Sequence, residues 1–278
     1  LMKKNLTLVL NRSELGAGTR GSSLAYAAML TASHKINSNF FQKYPVKSIA
    51  NENHLLFNAS KSPHAKYIEG VVIMYERIAK EIKSIFLTNQ IPIIISAAHS
   101  SAGGTIAGIK AAYPQKKLGV VWIDAHADLH SPLTTPSGNV HGMPLAISLK
   151  DDNYQCQVND VNKDTIANWN TLTGEKARIS SDNLIFFGVR DTEPQEDSMI
   201  KRLGLKNYSV QEIRKRGVKK CVLDSLNTLS DCELIYISFD VDSLDPSISK
   251  GTGTSVENGF TLSEAKDILK YFSMNEKL

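Results

Sequence analysis

Short, mostly apolar runs punctuate the chain at Leu6–Leu10, Val46–Ile49, Pro92–Ser96, Gly119–Ile123, Leu184–Phe187 and Leu234–Phe239. Strands buried on both faces lose the in–out alternation of a half-exposed strand, so such runs predict a parallel sheet covered on both sides. Between them the period lengthens. Val72, Met74, Ile78, Ile82 and Ile85 recur near helical spacing and predict a helix over Ile68–Phe86. Thr261-Leu262-Ser263-Glu264 has the form of a capping box and starts another helix running towards Phe272. This alternation predicts one domain of class α/β, with three layers, α/β/α, around a mostly parallel central sheet. No repeat or low-complexity linker divides it.

In open sheets of this kind, ligands bind beyond the carboxyl ends of the strands. Three groups of polar residues fall there: His99 after Ile93–Ile95, Asp124-Ala125-His126-Ala127-Asp128 after Val120–Ile123, and Asp240-Val241-Asp242 after Ile235–Phe239. The last two alternate ligand, spacer, ligand, which lets residues two apart project into one crevice. Taken singly, each has an ordinary reading as a turn or a structural histidine. Together, four carboxylates and two imidazoles at one sheet edge would repel strongly without cations. The charge count suits two divalent ions bound by oxygen and imidazole ligands, with manganese or a similar first-row metal as the expectation. Two such ions roughly 3.5 Å apart can share a hydroxide formed near neutral pH, so no serine or cysteine nucleophile is needed.

Composition narrows the field. An apolar fraction of 42% and a charged fraction of 22% describe an ordinary globular protein. The net charge of +4 is dispersed, and the clusters Arg214-Lys215-Arg216 and Lys219-Lys220 are short, so a solvated face is expected rather than a nucleic-acid footprint. There is no Gly-Lys-Ser/Thr phosphate loop; the glycines of Ser101-Ala102-Gly103-Gly104-Thr105 are expected to let a helix start close to the metal edge. Cys156, Cys221 and Cys232 lack ligand spacing and point to a reducing compartment, hence cytoplasm. After Lys3 and Lys4 the run Leu6–Leu10 is too short for a signal-peptide core or a membrane span.

The chain resembles the ureohydrolases, the family of arginase, agmatinase and formiminoglutamase, and within it a bacterial arginase subgroup. The resemblance is carried by Asp124–Asp128, by Ser238-Phe239-Asp240-Val241-Asp242-Ser243-Leu244-Asp245-Pro246, by Gly251-Thr252-Gly253-Thr254 and by His141-Gly142-Met143-Pro144. It implies a dinuclear manganese centre, with cobalt as an alternative, held by His99, Asp124, His126, Asp128, Asp240 and Asp242. It further implies hydrolysis of a guanidino group by a hydroxide bridging the ions. Asp128 would also pass a proton to the leaving amine, and His141 would relay protons to solvent. The loop Thr134–Gly142 looks like one in which Ser137 and Asn139 hold a substrate α-carboxylate. Gly188–Glu196 looks like a stretch in which Glu193, flanked by Asp191 and Glu196, faces an α-ammonium. Readers for both α-groups favour L-arginine over agmatine. Thr254 would line the pocket, and His130 would either meet the carboxylate or pack near the loop. The family commonly forms trimers or hexamers, so a homo-oligomer is expected.

Two departures stand out. Ala98 occupies the position of an aspartate that would support the imidazole of His99, and losing such a partner typically weakens metal binding about 10- to 100-fold. Beyond the Thr261 helix the family continues with a strand, a glutamate that grips the guanidinium, and a last helix; the sequence reaches Leu278 without them. The expectation is that a functional protein has that piece, since a sheet without an interior strand leaves backbone unpaired and apolar helix faces uncovered.

Overall fold

The computed structural model describes residues 5–278; Lys3 and Lys4 lie outside them. Its strands are β1 Leu6–Asn11, β2 Val46–Ile49, β3 Ile91–Ser96, β4 Leu118–Ile123, β5 Leu184–Phe187, β6 Lys206–Tyr208 and β7 Leu234–Phe239. The helices are α1 Ala25–Lys35, α2 Phe40–Lys43, α3 Ile68–Leu87, α4 Ser101–Ala112, α5 Pro144–Leu149, α6 Lys163–Thr173, α7 Pro194–Leu203, α8 Val210–Arg216, α9 Val218–Thr228 and α10 Leu262–Ser273. All six apolar runs form strands. The seventh strand, β6, is a Lys-Asn-Tyr segment at the edge beside β5, too short and polar for a hydrophobic pattern to reveal.

The strands are parallel and form two ladders, β2-β1-β3 and β6-β5-β4-β7. β4 and β5 lie inside the second ladder and are buried throughout. Successive residues of β4 feed opposite cores, as pleating requires. Val120 and Trp122 pack with α3–α6, whereas Val121 and Ile123 pack with Ile213, Cys221 and Phe272 from α8–α10. Helices therefore cover both faces, giving three layers. The two ladders meet at their carboxyl ends, where the Ser238 hydroxyl on β7 lies 2.7 Å from His99 Nε2 just beyond β3. Along the rest of β3 and β7 the side chains are mostly only half-buried, and Ile93 is 36% exposed. On α1, Leu24 at its N-cap, Met29 and Ile36 at its C-cap are also exposed.

Helix boundaries follow local chemistry. The box at α10 closes as read: the Thr261 hydroxyl accepts from the Glu264 amide, and the Glu264 carboxylate accepts from the Thr261 amide. Helix α4 starts beside His99, and its glycines also serve its packing. A Cβ at Gly103 would come within 2.3 Å of the Tyr75 hydroxyl, and one at Gly108 within 2.7 Å of the Ile82 Cβ. Both face α3, so their absent side chains let α3 and α4 pack closely, which steadies His99 just ahead of α4. The two arginines of the basic clusters are paired: Arg214 forks onto Glu264, and Arg216 meets Glu212 and Asp224.

Candidate metal centre

Register brings the acids together. Ile123 of β4 stands opposite Phe239 of β7, so Asp124 and Asp240 leave adjacent strands at one level, and the Asp240 amide donates to the Ile123 carbonyl at 2.9 Å. His99 arrives from β3 with its ring stacked on Trp122, centroids 4.2 Å apart and planes 8° apart. Asp128 reaches back because its φ is +52°, a left-handed conformation that aspartate tolerates better than most residues.

Two donor sets result. His99 Nδ1 lies 2.8 Å from Asp124 Oδ2, 3.0 Å from Asp128 Oδ2 and 3.1 Å from Asp240 Oδ2. His126 Nδ1 lies 3.1 Å from Asp242 Oδ2 and 3.5 Å from Asp124 Oδ1. Asp124 belongs to both sets, one oxygen to each. Buried carboxylate oxygens without a hydrogen bond are costly, yet Asp124 Oδ2 and Asp128 Oδ2 are both buried and both lack one. Both crowd His99 Nδ1, at 2.8 and 3.0 Å, so three potential ligand atoms share one small volume. The set fits a pair of divalent cations, with hard oxygen and imidazole donors and no sulfur.

The electrostatics agree. Burial opposes charge on His126, but Asp124 and Asp242 outweigh it and push the imidazole up to about 11. His99, equally opposed by burial, is raised well above the ordinary histidine value by Asp124, Asp128 and Asp240. Burial, then Asp124, pushes Asp128 up to about 6; burial, with Asp124 and Asp240 adding to it, pushes Asp242 up to about 7. Excess negative charge has to be met by protons wherever it is not met by metal.

A second cluster borders the first. His130 Nε2 lies 3.0 Å from Glu193 Oε2, and His130 Nδ1 lies 3.1 Å from the Thr134 hydroxyl. Glu193 caps α7 in a reciprocal box with Glu196, whose other oxygen accepts from the Leu129 amide. Burial, then the Glu193 carboxyl, pushes Glu196 up to about 9, while Glu193, despite its burial, is held below the usual carboxylate range by Glu196 and His130. One member of the pair is thus a neutral acid and the other an anion facing outward. His130 packs against the start of the Thr134–Gly142 loop through Nδ1, and its contact with Glu193 through Nε2 is one that neither sequence reading included.

A model of the arginase family matches residues 9–278. The chain belongs to the arginase family. Similar proteins include the arginase of Bacillus subtilis, 30% identical over 95% of this chain and 84% of that protein. Its crystal structure superposes with a TM-score of 0.77 at 29% identity, covering 96% of this chain and 85% of that one. An Entamoeba histolytica arginase in complex with L-ornithine shares the fold at a TM-score of 0.84 and 22% identity, over 100% of this chain and 90% of that one. The formimidoylglutamase of Bacillus subtilis shares it at 0.73 and 17%, over 99% and 77%. Membership makes the chain a ureohydrolase, and the paired donor sets suit a dinuclear divalent centre.

Of the remaining candidate positions, Asp191 and Thr254 touch the donor sets directly. Asp191, largely exposed, lies 3.6 Å from His126 Nε2. The Thr254 hydroxyl donates to Asp242 Oδ2 at 2.9 Å, so it steadies a candidate ligand rather than only lining a pocket. The Ser137 hydroxyl accepts from the Asn139 amide, and the loop is fixed by Gly138, whose φ is +72° and where a Cβ would meet the Pro63 carbonyl oxygen at 1.9 Å. His141 is anchored by its amide on the Gly16 carbonyl, and burial lowers its pKa.

Two residues went unread. Ser238 supplies His99 Nε2 with the partner that the Ala98 position was expected to lack. Its sequence signal is its place at the head of the Ser238–Pro246 run, two residues before Asp240, with no role read for it. Arg190 reaches the carbonyls of Gly188, Asp242, Ser243, Val256 and Glu257 with its guanidinium, tying the loop after β7 to the end of β5. Its one sequence signal is its place in the family-like Gly188–Glu196 stretch, where no role was read for it.

Proposed function

We propose that this ureohydrolase hydrolyses L-arginine to L-ornithine and urea, using two manganese ions, with cobalt as the alternative metal. The observation that carries the reading is Asp124, whose two oxygens serve two adjoining donor sets. His99, Asp124, Asp128 and Asp240 would hold one ion; Asp124, His126 and Asp242 would hold the other. When bound, the pair supplies an acidified water as nucleophile and polarises the guanidinium carbon.

The chain's own residues do the rest. Asp128 would take a proton from the attacking water and deliver it to the leaving amine nitrogen. His141, whose pKa burial lowers, would carry to solvent the separate proton released when the next water is taken up and ionised. The Ser137 hydroxyl and Asn139 amide are uncharged donors for an α-carboxylate, as suits a site already rich in acids. Glu193, ionised and braced by His130, would face the α-ammonium, with Asp191 beside it and neutral Glu196 behind. A reader for each α-group is what separates an amino acid from agmatine.

The test is hydrolysis by the metal-loaded chain, following urea from L-arginine and agmatine and formamide from formiminoglutamate. L-arginine is expected to give the highest kcat/KM. Agmatine turning over faster would overturn the substrate, and two bound ions without turnover of any of the three would overturn catalysis.

A further inference from the structure

At the other end of β4, about 20 Å along the strand from Asp124, lies a cleft of about 770 Å³. It opens between the end of α4, the end of α5 and the segment leading into β5. Its lining carries five cations, Lys110, Lys116, Lys117, Lys176 and Arg178, and one carboxylate, Asp151. That carboxylate is taken: Arg202 forks onto it at 2.9 and 3.0 Å. Lys110 donates to the carbonyls of Pro114 and Lys116, and Lys116 sits 4.9 Å above the Tyr113 ring. Neutral oxygens and a ring satisfy those ammonium groups without cancelling their charge.

Arg178 is the anchor. Its guanidinium is partly buried and donates to the Leu172 carbonyl, a neutral partner, at 2.8 Å. Burial lowers its pKa, and no carboxylate opposes that effect. A desolvated guanidinium lacking an anion is unfavourable unless one is provided, and its planar fork matches phosphoryl oxygens. The Ser180 and Ser181 hydroxyls stand on the same wall, and Leu118, Leu149, Ile179 and Leu203 supply apolar surface.

We propose that this cleft binds an organic phosphate, with the phosphoryl group on Arg178, Lys117 and Lys176 and the body of the molecule on the apolar wall. The volume lies in the range of small-molecule sites. The site is separate from the metal centre and does not depend on which guanidino compound is hydrolysed.

Calorimetric titration of the metal-loaded chain with AMP, inorganic phosphate and adenosine tests this. AMP is expected to bind saturably at submillimolar concentration and at least about tenfold tighter than either fragment. The double variant Lys117→Glu/Lys176→Glu, both positions exposed, is expected to weaken AMP about tenfold with bound-metal content and Tm unchanged. Absence of saturable AMP binding at millimolar concentration overturns the proposal, as does binding indifferent to the charge reversal. Loss of AMP binding on stripping the metal, with the double variant still binding normally, places the phosphate at the metal centre and overturns it equally.

Discussion

Replacing Ser238 with alanine isolates one support of one metal ligand. The serine is 5% exposed and its hydroxyl lies 2.7 Å from His99 Nε2, so it fixes the ring rotation that aims Nδ1 at Asp124, Asp128 and Asp240. Removing such a partner typically costs about 10- to 100-fold in metal affinity, or about 1.4–2.7 kcal/mol. The upper half of that range should be softened here, because stacking on Trp122 also restrains the imidazole. An expected loss of about tenfold follows. It should be asymmetric: His126 has its own partners, so the ion on the His126 side should keep its affinity. Competition against a fluorescent chelator, resolved into two binding steps, measures this, with a thermal melt to confirm folding. Two steps weakened equally, or neither weakened by more than twofold, would refute the assignment of Ser238 to one ion.

Thr254→Val deletes the donor to Asp242 Oδ2 and should show the mirror image, about tenfold weaker binding of the His126-side ion alone; a loss confined to the other step would contradict it. Metal loading at pH 7.5 should release about two protons, since both imidazoles are protonated without metal and must be neutral to bind. Calorimetry in buffers of different ionisation enthalpy reads that number, and a value near zero refutes the electrostatic account. Glu196 has a folded pKa of about 9, above its unfolded value. Its contribution to stability is therefore complete below the unfolded pKa and lost as pH rises towards 9. Glu196→Gln, which cannot ionise, should accordingly gain in Tm over the parent as pH goes from 5 to 9; a difference that is flat or falls with pH disproves the buried neutral acid.

Much of this was legible in the chain before any fold was known. Burial on both faces erases alternation, so the runs that became β4 and β5 announced themselves; those of β3 and β7 are as apolar in sequence though only half-buried here, and together they gave the level at which His99, Asp124 and Asp240 leave the sheet. The Thr261–Glu264 box was equally plain, because capping is a contact between residues three apart. β6 was not, since a polar edge strand of three residues owes its existence to the open side of β5. The packing role of the α4 glycines was not legible, because Tyr75 and Ile82, which they accommodate, lie on another helix.

The amino-acid order alone determined which residues could be ligands and that they stand at strand ends, because both facts are local: residue type, and the change from apolar to polar at the end of a run. Tertiary structure decided what those ligands lean on. Ser238 meets His99 across a sequence distance of 139 residues, Arg190 meets the loop after β7, and Asp124 turns one oxygen to each donor set. Such contacts depend on register and on which strands lie side by side, and no pattern within a single segment encodes them.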